Sequence, residues 1–244
     1  MSYIFTLSGH SSVLSADFYP PIELGKTNKY GLALIGFYTY NSIFNVTEKN
    51  NSFGYVKNDE DPKNIHFLII PPGAYEISEM GKAMLTVLKE DSKDKREGLF
   101  SLEANNNTLK CEMMSKFNIV FPPDRESIGT LLGFQSGMHE SGEKHHSIYN
   151  VDIMKVRIIR IDCNIISGAY LNSTESHTLF EFDIDVEPGY KISKEPQNNI
   201  YMPIIPEGRQ FIDNISIRLL DDDGDLIDFR GEKIIVKLEL KQIL

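Results

Sequence analysis

Alternation of apolar and polar side chains, with a period of two residues, limits the fold of this chain more than any other feature. Residues 180–186 (FEFDIDV) alternate apolar side chains with carboxylates, and residues 236–241 (VKLELK) alternate them with lysines and one glutamate. Successive side chains of a strand point to opposite faces, so each stretch predicts a strand with one face in the core and one face in water.

Further strands are predicted at 32–40, 65–70, 108–113, 117–121, 200–205 and 213–220. This number is too large for one small sheet, and it predicts a closed or double-layered all-β architecture. Within residues 155–163 the alternation reverses after Ile159. That reversal predicts a bulge, or a strand that changes sheets, near Ile158.

Two stretches have helical rather than strand spacing. Between Ser78 and Glu90 the apolar residues recur at steps of three and four, which predicts a helix with Ser78 as its cap. A shorter helix is predicted at 124–132, with Asp124 as its N-cap and Gly133 as its end. We find no internal repeat and no low-complexity linker, so the sequence predicts a single domain over residues 1–244, with 1–17 as a candidate N-terminal arm.

A stiff segment near the N-terminus has a structural interpretation. Pro20 and Pro21 each fix φ and lack a backbone N–H, so the chain there must lie at a sheet edge or outside the sheet. Residues 32–40 follow as a strand that is apolar on both faces, and Asn41 and Ser42 end it. The segment therefore predicts architecture and not chemistry.

Composition excludes several classes of function. The net charge of −10 opposes phosphate contact, and lysines and arginines nowhere gather with aromatics, so nucleic acid is not an expected partner. No apolar stretch approaches the roughly 20 residues that span a bilayer, and the start of the chain lacks a signal-peptide pattern, so we expect a soluble protein that is not secreted. Cys111 and Cys163 fit neither a metal site nor a disulfide framework and are expected to be reduced.

Residues 135–147 (QSGMHESGEKHHS) combine metal-ligand types with loop-forming residues. The candidate ligands are His139, Glu143, His145 and His146. A metal site needs side chains that a rigid scaffold directs to one point, whereas neighbouring histidines on an extended chain point in opposite directions. We therefore predict an exposed, long mobile loop without a metal, although an ion at this loop stays open.

Residues 221–232 (DDDGDLIDFRGE) offer a second candidate ion site. Carboxylates at alternate positions and Glu232 at the twelfth position match the spacing of a calcium-binding EF-hand loop. However, residues 227–230 have the character of strand and turn, and no helices flank the segment. A tight turn at Asp223-Gly224 after strand 213–220 is the simpler prediction, with an ion again left open. No nucleophile elbow or phosphate loop is present, so no catalytic, cofactor-binding or metal residue is assigned.

Seven segments occur in order over most of the chain: FYPPIEL at 18–24, YGLALIGFYTYNSIFNV at 30–46, IPPGAYEI at 70–77, SIGTLLGF at 127–134, RIDCNIISGAY at 160–170, VEPGYKI at 186–192 and LLDDDGDLIDFRGEKIIVKLEL at 219–240. Together they resemble the jelly-roll capsid-type proteins of Polinton (Maverick) elements and the related adintoviruses. Phe44 departs from the pattern, since proline is expected at that position.

This resemblance implies an antiparallel jelly-roll β-sandwich with one or two short helices in its connections. It also implies a non-enzymatic virion protein, penton-like or a minor capsid subunit, that is made in the host cytoplasm or nucleus. Its expected partners are other copies of itself, as a pentamer, and the major capsid protein. Residues 1–17 and 135–147 are the expected contacts with neighbouring subunits.

Two other classes of function remain open at this stage. A jelly-roll module that binds glycans or a receptor would use exposed aromatics around a groove, and the many tyrosines are compatible with this although tryptophan is absent. A metal-dependent β-barrel enzyme would require the histidines of 135–147 as ligands. Both are weaker predictions than the capsid subunit.

Overall fold

The computed structural model describes residues 2–25, 29–57, 59–154, 156–205 and 210–243, and these form mostly β-strands with two helices. In chain order the elements are β1 (Ser2–Gly9), β2 (Val13–Glu23), β3 (Lys29–Tyr40), β4 (Ser52–Val56), β5 (His66–Ile69), α1 (Ile77–Ser92), β6 (Phe100–Asn105), β7 (Lys110–Ser115), β8 (Asn118–Phe121), α2 (Ile128–Leu131), β9 (Gly137–His139), β10 (Lys144–His146), β11 (Ile158–Cys163), β12 (Ala169–Leu171), β13 (Thr174–Ser176), β14 (Thr178–Asp183), β15 (Lys191–Lys194), β16 (Met202–Pro203), β17 (Phe211–Leu220) and β18 (Ile234–Ile243). Neither described helix is long and apolar enough to cross a membrane.

Contacts group the chain into two compact units. The first consists of Met1–Ile43 and Val156–Leu244, and the second is Phe44–Lys155. In sequence, the second unit is therefore an insertion between β3 and β11. One domain over residues 1–244 stays a prediction, and the jelly-roll strands all belong to the first unit.

The first unit contains two antiparallel sheets with four main strands each. Their orders are β1-β18-β3-β15, with the short β16 also on β3, and β14-β11-β17-β2. If only these eight main strands are counted, and are numbered 1 to 8 along the chain, the two sheets have the orders 1-8-3-6 and 5-4-7-2. The pairs 1·8, 2·7, 3·6 and 4·5 are those of one long hairpin ribbon rolled into two layers. This topology confirms the predicted jelly-roll β-sandwich, with two helices in its connections.

The core of the first unit contains apolar residues from both sheets. Phe37 on β3 and Phe182 on β14 meet with ring centroids 5.2 Å apart. In β18 one residue in two lies in this core, as the sequence predicts, whereas in β14 the buried residues are Leu179 and Phe182, which lie three positions apart at a register shift. β3 is buried over most of its length, which confirms a strand that is apolar on both faces.

The two prolines lie in β2, which is an edge strand of the second sheet. Pairing with β17 is regular up to Asp17 opposite Asn214 and resumes at Ile22 opposite Ile212, so the prolines fall in a register shift. Because the pairing of β2 with β17 is interrupted there, the N–H groups that the two prolines lack would have no partner in the ladder. The predicted edge position is thus correct.

Other boundaries in the first unit differ from the predictions. Residues 2–17 form β1 and the start of β2 rather than an arm, because alternate residues of β1 enter the core and its backbone pairs with β18. The irregularity expected near Ile158 is a register shift between Ile161 and Asp162. The strand expected at 200–205 is confined to Met202–Pro203. Met1 and Lys155 lie outside the described residues.

The second unit contains a sheet of order β5-β4-β8-β9, a sheet of order β10-β7-β6, and both helices. The predicted helix at 78–90 is confirmed as α1, but its N-cap is Glu76 and not Ser78, and the Glu79 carboxylate accepts the Glu76 N–H at 3.2 Å. The helix predicted at 124–132 is shorter than predicted. It is α2, Ile128–Leu131, its N-cap is Ser127, and Asp124 lies outside it.

Candidate assembly surfaces

We name the outer side of the first sheet, which is turned away from the core, the basic face. It consists of Ser2, Ile4, Thr6 and Ser8 of β1, Ile235, Lys237, Glu239, Lys241 and Ile243 of β18, Lys29, Gly31, Ala33, Gly36, Tyr38 and Tyr40 of β3, and Lys191 and Ser193 of β15. Its strand residues carry four lysines and one glutamate, and Glu195 follows β15 directly. The face is therefore positive within a chain whose net charge is −10.

Tyr38 lies near the centre of the basic face between two lysines. The Nζ atoms of Lys191 and Lys237 are 5.3 and 5.4 Å from its ring centroid. Its hydroxyl donates a hydrogen bond to Glu195 Oε1 at 2.5 Å, and this bond, with burial, raises the pKa of Tyr38. Cations over an aromatic ring are attracted by its quadrupole, so the ring and both lysines hold one another in place.

A second tyrosine is held in a similar way on the same face. Lys241 Nζ lies 3.9 Å from the ring centroid of Tyr201, and the Tyr201 hydroxyl donates to Glu239 Oε2 at 2.6 Å. This bond, with one from Ser2, lowers the pKa of Glu239. A Cβ atom at Gly31 would come within 2.8 Å of Tyr201 Cβ, so glycine is what lets the tyrosine lie against the sheet.

We name the outer side of the second sheet, which is also turned away from the core, the acidic face. It consists of Val13, Ser15 and Asp17 of β2, Asn214, Ser216, Arg218 and Leu220 of β17, Ile158, Arg160 and Asp162 of β11, and Thr178, Glu181 and Asp183 of β14. Four carboxylates stand against two arginines. The acidic turn at 221–225 continues the negative charge beyond the end of β17.

Hydrogen bonds order several side chains of the acidic face. The Asn214 amide donates to Asp17 Oδ1 at 2.7 Å and to Ser15 Oγ at 2.9 Å. Asp162 accepts a hydrogen bond from the Thr178 hydroxyl at 3.0 Å. Asp17 and Asp183 nevertheless remain exposed. The face therefore presents polar groups held by hydrogen bonds, together with exposed carboxylates.

The segment 135–147, predicted as a long mobile loop, contains two short strands instead. β9 pairs with β8 and β10 pairs with β7, so the segment extends both sheets of the second unit. The Ser141 N–H donates to Asn118 Oδ1 and the Gly142 N–H donates to the Ser115 carbonyl, both at 2.8 Å. These partners are distant in sequence, which is why local composition alone indicated a loop.

The histidines of this segment are held by carbonyl groups and aromatic rings. His139 Nε2–H donates to the Gln135 carbonyl at 3.0 Å, and His145 Nε2–H donates to the Glu140 carbonyl at 2.7 Å. The two rings meet edge to face with centroids 5.2 Å apart. His146 is exposed on the opposite side of β10, as predicted for neighbouring residues of a strand, and Glu143 is exposed in the turn. Among the residues that the structure describes, no group of three or more potential ligands is placed to hold a metal ion.

The surroundings of His139 make the stability of the second unit depend on pH. Its ring packs against Phe121 and Phe134, with centroids 5.4 Å away in each case. Burial lowers the pKa of His139, and the neighbouring His145 lowers it further. The unfolded chain then binds more protons than the folded chain below pH about 6.5, so we expect the free energy of unfolding to fall as pH drops through this value.

Chemical denaturation of the native chain and of a His139→Phe variant, on both sides of that pH, tests this expectation. Phenylalanine keeps the aromatic packing and cannot be protonated, so its unfolding free energy should fall less on acidification. His146→Gln is the control on the same hairpin: His146 lies 3.7 Å from Glu112 and outside the aromatic cluster, so this variant should keep the part of the pH dependence that His139 causes. Identical pH dependence of the native and His139→Phe chains would contradict the role of His139.

The segment 221–232 contains the predicted tight turn. Gly224 has a φ of 89°, and Asp221 Oδ1 accepts the N–H groups of Asp223 at 3.0 Å and Asp225 at 2.9 Å. The carboxylate of Asp222 accepts the N–H of Ile158 at 2.8 Å, which ties the turn to the start of β11. Two of the carboxylates proposed for an ion therefore bind backbone N–H groups. The predicted tight turn is present, but it does not join β17 to a paired next strand, since β17 and β18 belong to different sheets.

The two cysteine thiols are buried among apolar side chains. Burial raises the pKa of Cys111 to about 11 and that of Cys163 to about 12, so both thiols stay protonated at neutral pH.

A cluster of polar side chains in the second unit was not predicted from the sequence. The buried Tyr55 hydroxyl donates to Asp91 Oδ2 at 2.8 Å, and His66 Nε2 lies 2.9 Å from Glu60. Burial, with the bond to Asp91, raises the pKa of Tyr55, so its hydroxyl acts as a fixed hydrogen-bond donor.

Comparison with known proteins supports the fold assignment. No family model and no curated protein sequence matches this chain. Among solved structures, it is similar to the crystal structure of the mavirus penton protein, with a TM-score of 0.51 and 13% sequence identity over 100% of both chains. At this identity the similarity shows a shared fold, that of a viral penton protein.

Proposed function

We propose that this chain is a structural capsid subunit of the penton type and not an enzyme. The observation that carries the proposal is the eight-stranded jelly roll, combined with full-length structural similarity to the mavirus penton protein. The ordered segments that resemble Polinton and adintovirus capsid-type proteins point to the same class. In this function the fold supplies a rigid body, and the surfaces of that body determine what it assembles with.

Self-association into a ring is the expected behaviour of such a subunit. Copies related by a rotation can close a pentamer through one repeated contact between two different surfaces. The rest of each subunit would contact the major capsid protein, and the protein would be found in the virion. The two outer faces of the jelly roll support this proposal, since they are extended and exposed along β1 and β2.

A module that binds glycans or a receptor is the second candidate function. Exposed tyrosines favour it, because Tyr40, Tyr190 and Tyr170 are exposed by 52%, 64% and 71%. Tyrosine presents an apolar ring together with a polar hydroxyl, which suits both carbohydrate and protein partners. The capsid proposal accounts for the same residues as contacts between subunits.

Mass measurement in solution, combined with electron microscopy, tests the capsid function. With rising protein concentration we expect a cyclic oligomer, a pentamer, and its symmetry should be visible in class averages. The expected shift from monomer to ring follows mass action, so dilution should reverse it. A chain that stays monomeric alone and with the major capsid protein, but binds glycans, would contradict the proposal and favour the binding module.

A further inference from the structure

We propose that the basic face of one copy of this chain packs against the acidic face of the next copy in the ring. This interface rests on the proposed function and deepens it, because it names the two surfaces that meet. The occupant of each face is a second copy of the same chain.

Opposite charge on the two faces is the first argument. On the basic face four lysines, Lys191 and Lys237 among them, outnumber Glu239 and Glu195, and on the acidic face four carboxylates outnumber two arginines. Complementary potentials of this kind steer association and fix the orientation of the partners, whereas like charges brought together cost several kcal/mol. Each face therefore favours the other and disfavours a copy of itself.

The position of the faces is the second argument. They are the outer sides of the two layers of one sandwich, so they are directed away from each other. A contact between two different surfaces that lie on opposite sides of a subunit leaves each surface of a bound copy free for another neighbour. The same contact then repeats from copy to copy, and it closes into a ring where the rotation between neighbouring copies leads back to the first copy.

The tyrosines of the basic face are the third argument. Tyr38 and Tyr201 are held by lysines on their rings and by glutamates on their hydroxyls, so little side-chain freedom is left to lose on binding. Tyrosines with fixed rings are enriched among residues that dominate binding energy at protein interfaces. Gly31 and Gly36 beneath them let the two rings lie flat against the sheet, since a Cβ atom at either glycine would come within 3 Å of a tyrosine side chain.

Charge reversal on each face separately tests the interface. The first variant is Lys191→Glu with Lys237→Glu, and the second is Asp17→Lys with Asp183→Lys. Each makes the two faces alike in charge, so we expect the dissociation constant of the oligomer to rise at least about tenfold. A third variant with all four substitutions exchanges the signs of both faces, and it should regain most of the native affinity.

The control for the first variant is Lys82→Glu with Lys95→Glu, which makes the same change in net charge as Lys191→Glu with Lys237→Glu, on exposed residues of the second unit. Circular dichroism and thermal unfolding of every variant verify that it is folded. Oligomers of the native chain and the control, loss in each two-residue variant and recovery in the four-residue variant would support the interface.

Two results would overturn the inference, and they differ in what they say about the function. If the native chain oligomerises and either reversal leaves its affinity unchanged, or the four-residue variant fails to recover, the faces are not the interface, although self-assembly stands. If the native chain stays monomeric at every concentration, alone and with the major capsid protein, the proposed self-assembly fails and this interface fails with it.

Discussion

Replacement of Phe37 by alanine should destabilise the jelly roll by about 3–5 kcal/mol, the cost typical of a large aromatic removed from a packed core. Phe37 has no exposed surface and its ring packs against Phe182 of the opposite sheet. The substitution removes contact between the two layers and leaves a cavity that the flanking strands cannot fill. The free energy of unfolding from chemical denaturation measures the loss.

Tyr40→Ala is the matched control on the same strand. Its ring is of similar size but 52% exposed, so its removal should change the unfolding free energy by no more than about 1 kcal/mol. Because the two units can unfold in separate transitions, hydrogen exchange of β3 should accompany the denaturation curves. Equal losses for the two variants would mean that Phe37 does not connect the two layers as the structure indicates.

Strands of the jelly roll were predictable where alternation continues over six residues or more. Residues 236–241 lie in β18 with the predicted face in the core, whereas of the predicted strand 180–186 only residues 180–183 lie in β14, with Phe182 buried. β1 carries the same signal, since its buried residues Phe5 and Leu7 alternate with exposed ones, and an arm was nevertheless expected there. The alternation of β1 could have identified it as a strand.

The second unit was harder to predict because its strands are short. β9 and β10 have three residues each, and a period of two cannot be distinguished from chance over such a length. Glycines and serines around them indicated a loop. The pairing that makes them strands depends on β7 and β8, which are distant in sequence, and no local pattern reports such partners.

Only part of the two charged faces could be predicted from the sequence. Alternation placed Lys237, Glu239 and Lys241 together on the wet side of one strand. Their neighbours Tyr38 and Lys191 come from strands far along the chain, so the cation–π contacts required the order of strands in the sheet. Charge summed over the whole chain concealed the positive face, since the acidic residues elsewhere are more numerous.

Gly133→Ala should destabilise the second unit by about 3–5 kcal/mol, because it combines backbone strain with a clash that cannot relax. Gly133 has a φ of +76°, and a Cβ atom there would lie 2.3 Å from the carbonyl oxygen of Tyr149. That segment cannot move away freely, since the Tyr149 N–H donates to the Gly133 carbonyl at 3.0 Å. Hydrogen exchange of α2 and of the residues after it, with denaturation curves, measures the effect.

Gly142→Ala separates the two causes of this loss. Gly142 has nearly the same φ, +79°, but nothing lies within 4 Å of the position of its Cβ atom. Alanine there adds only the cost of a left-handed backbone, roughly 1–3 kcal/mol. The difference between the two variants therefore measures the clash at Gly133, and the larger loss should accelerate exchange in α2. Equal losses would mean that the chain at Tyr149 yields to the added methyl group, and that Gly133 is required for its backbone conformation alone.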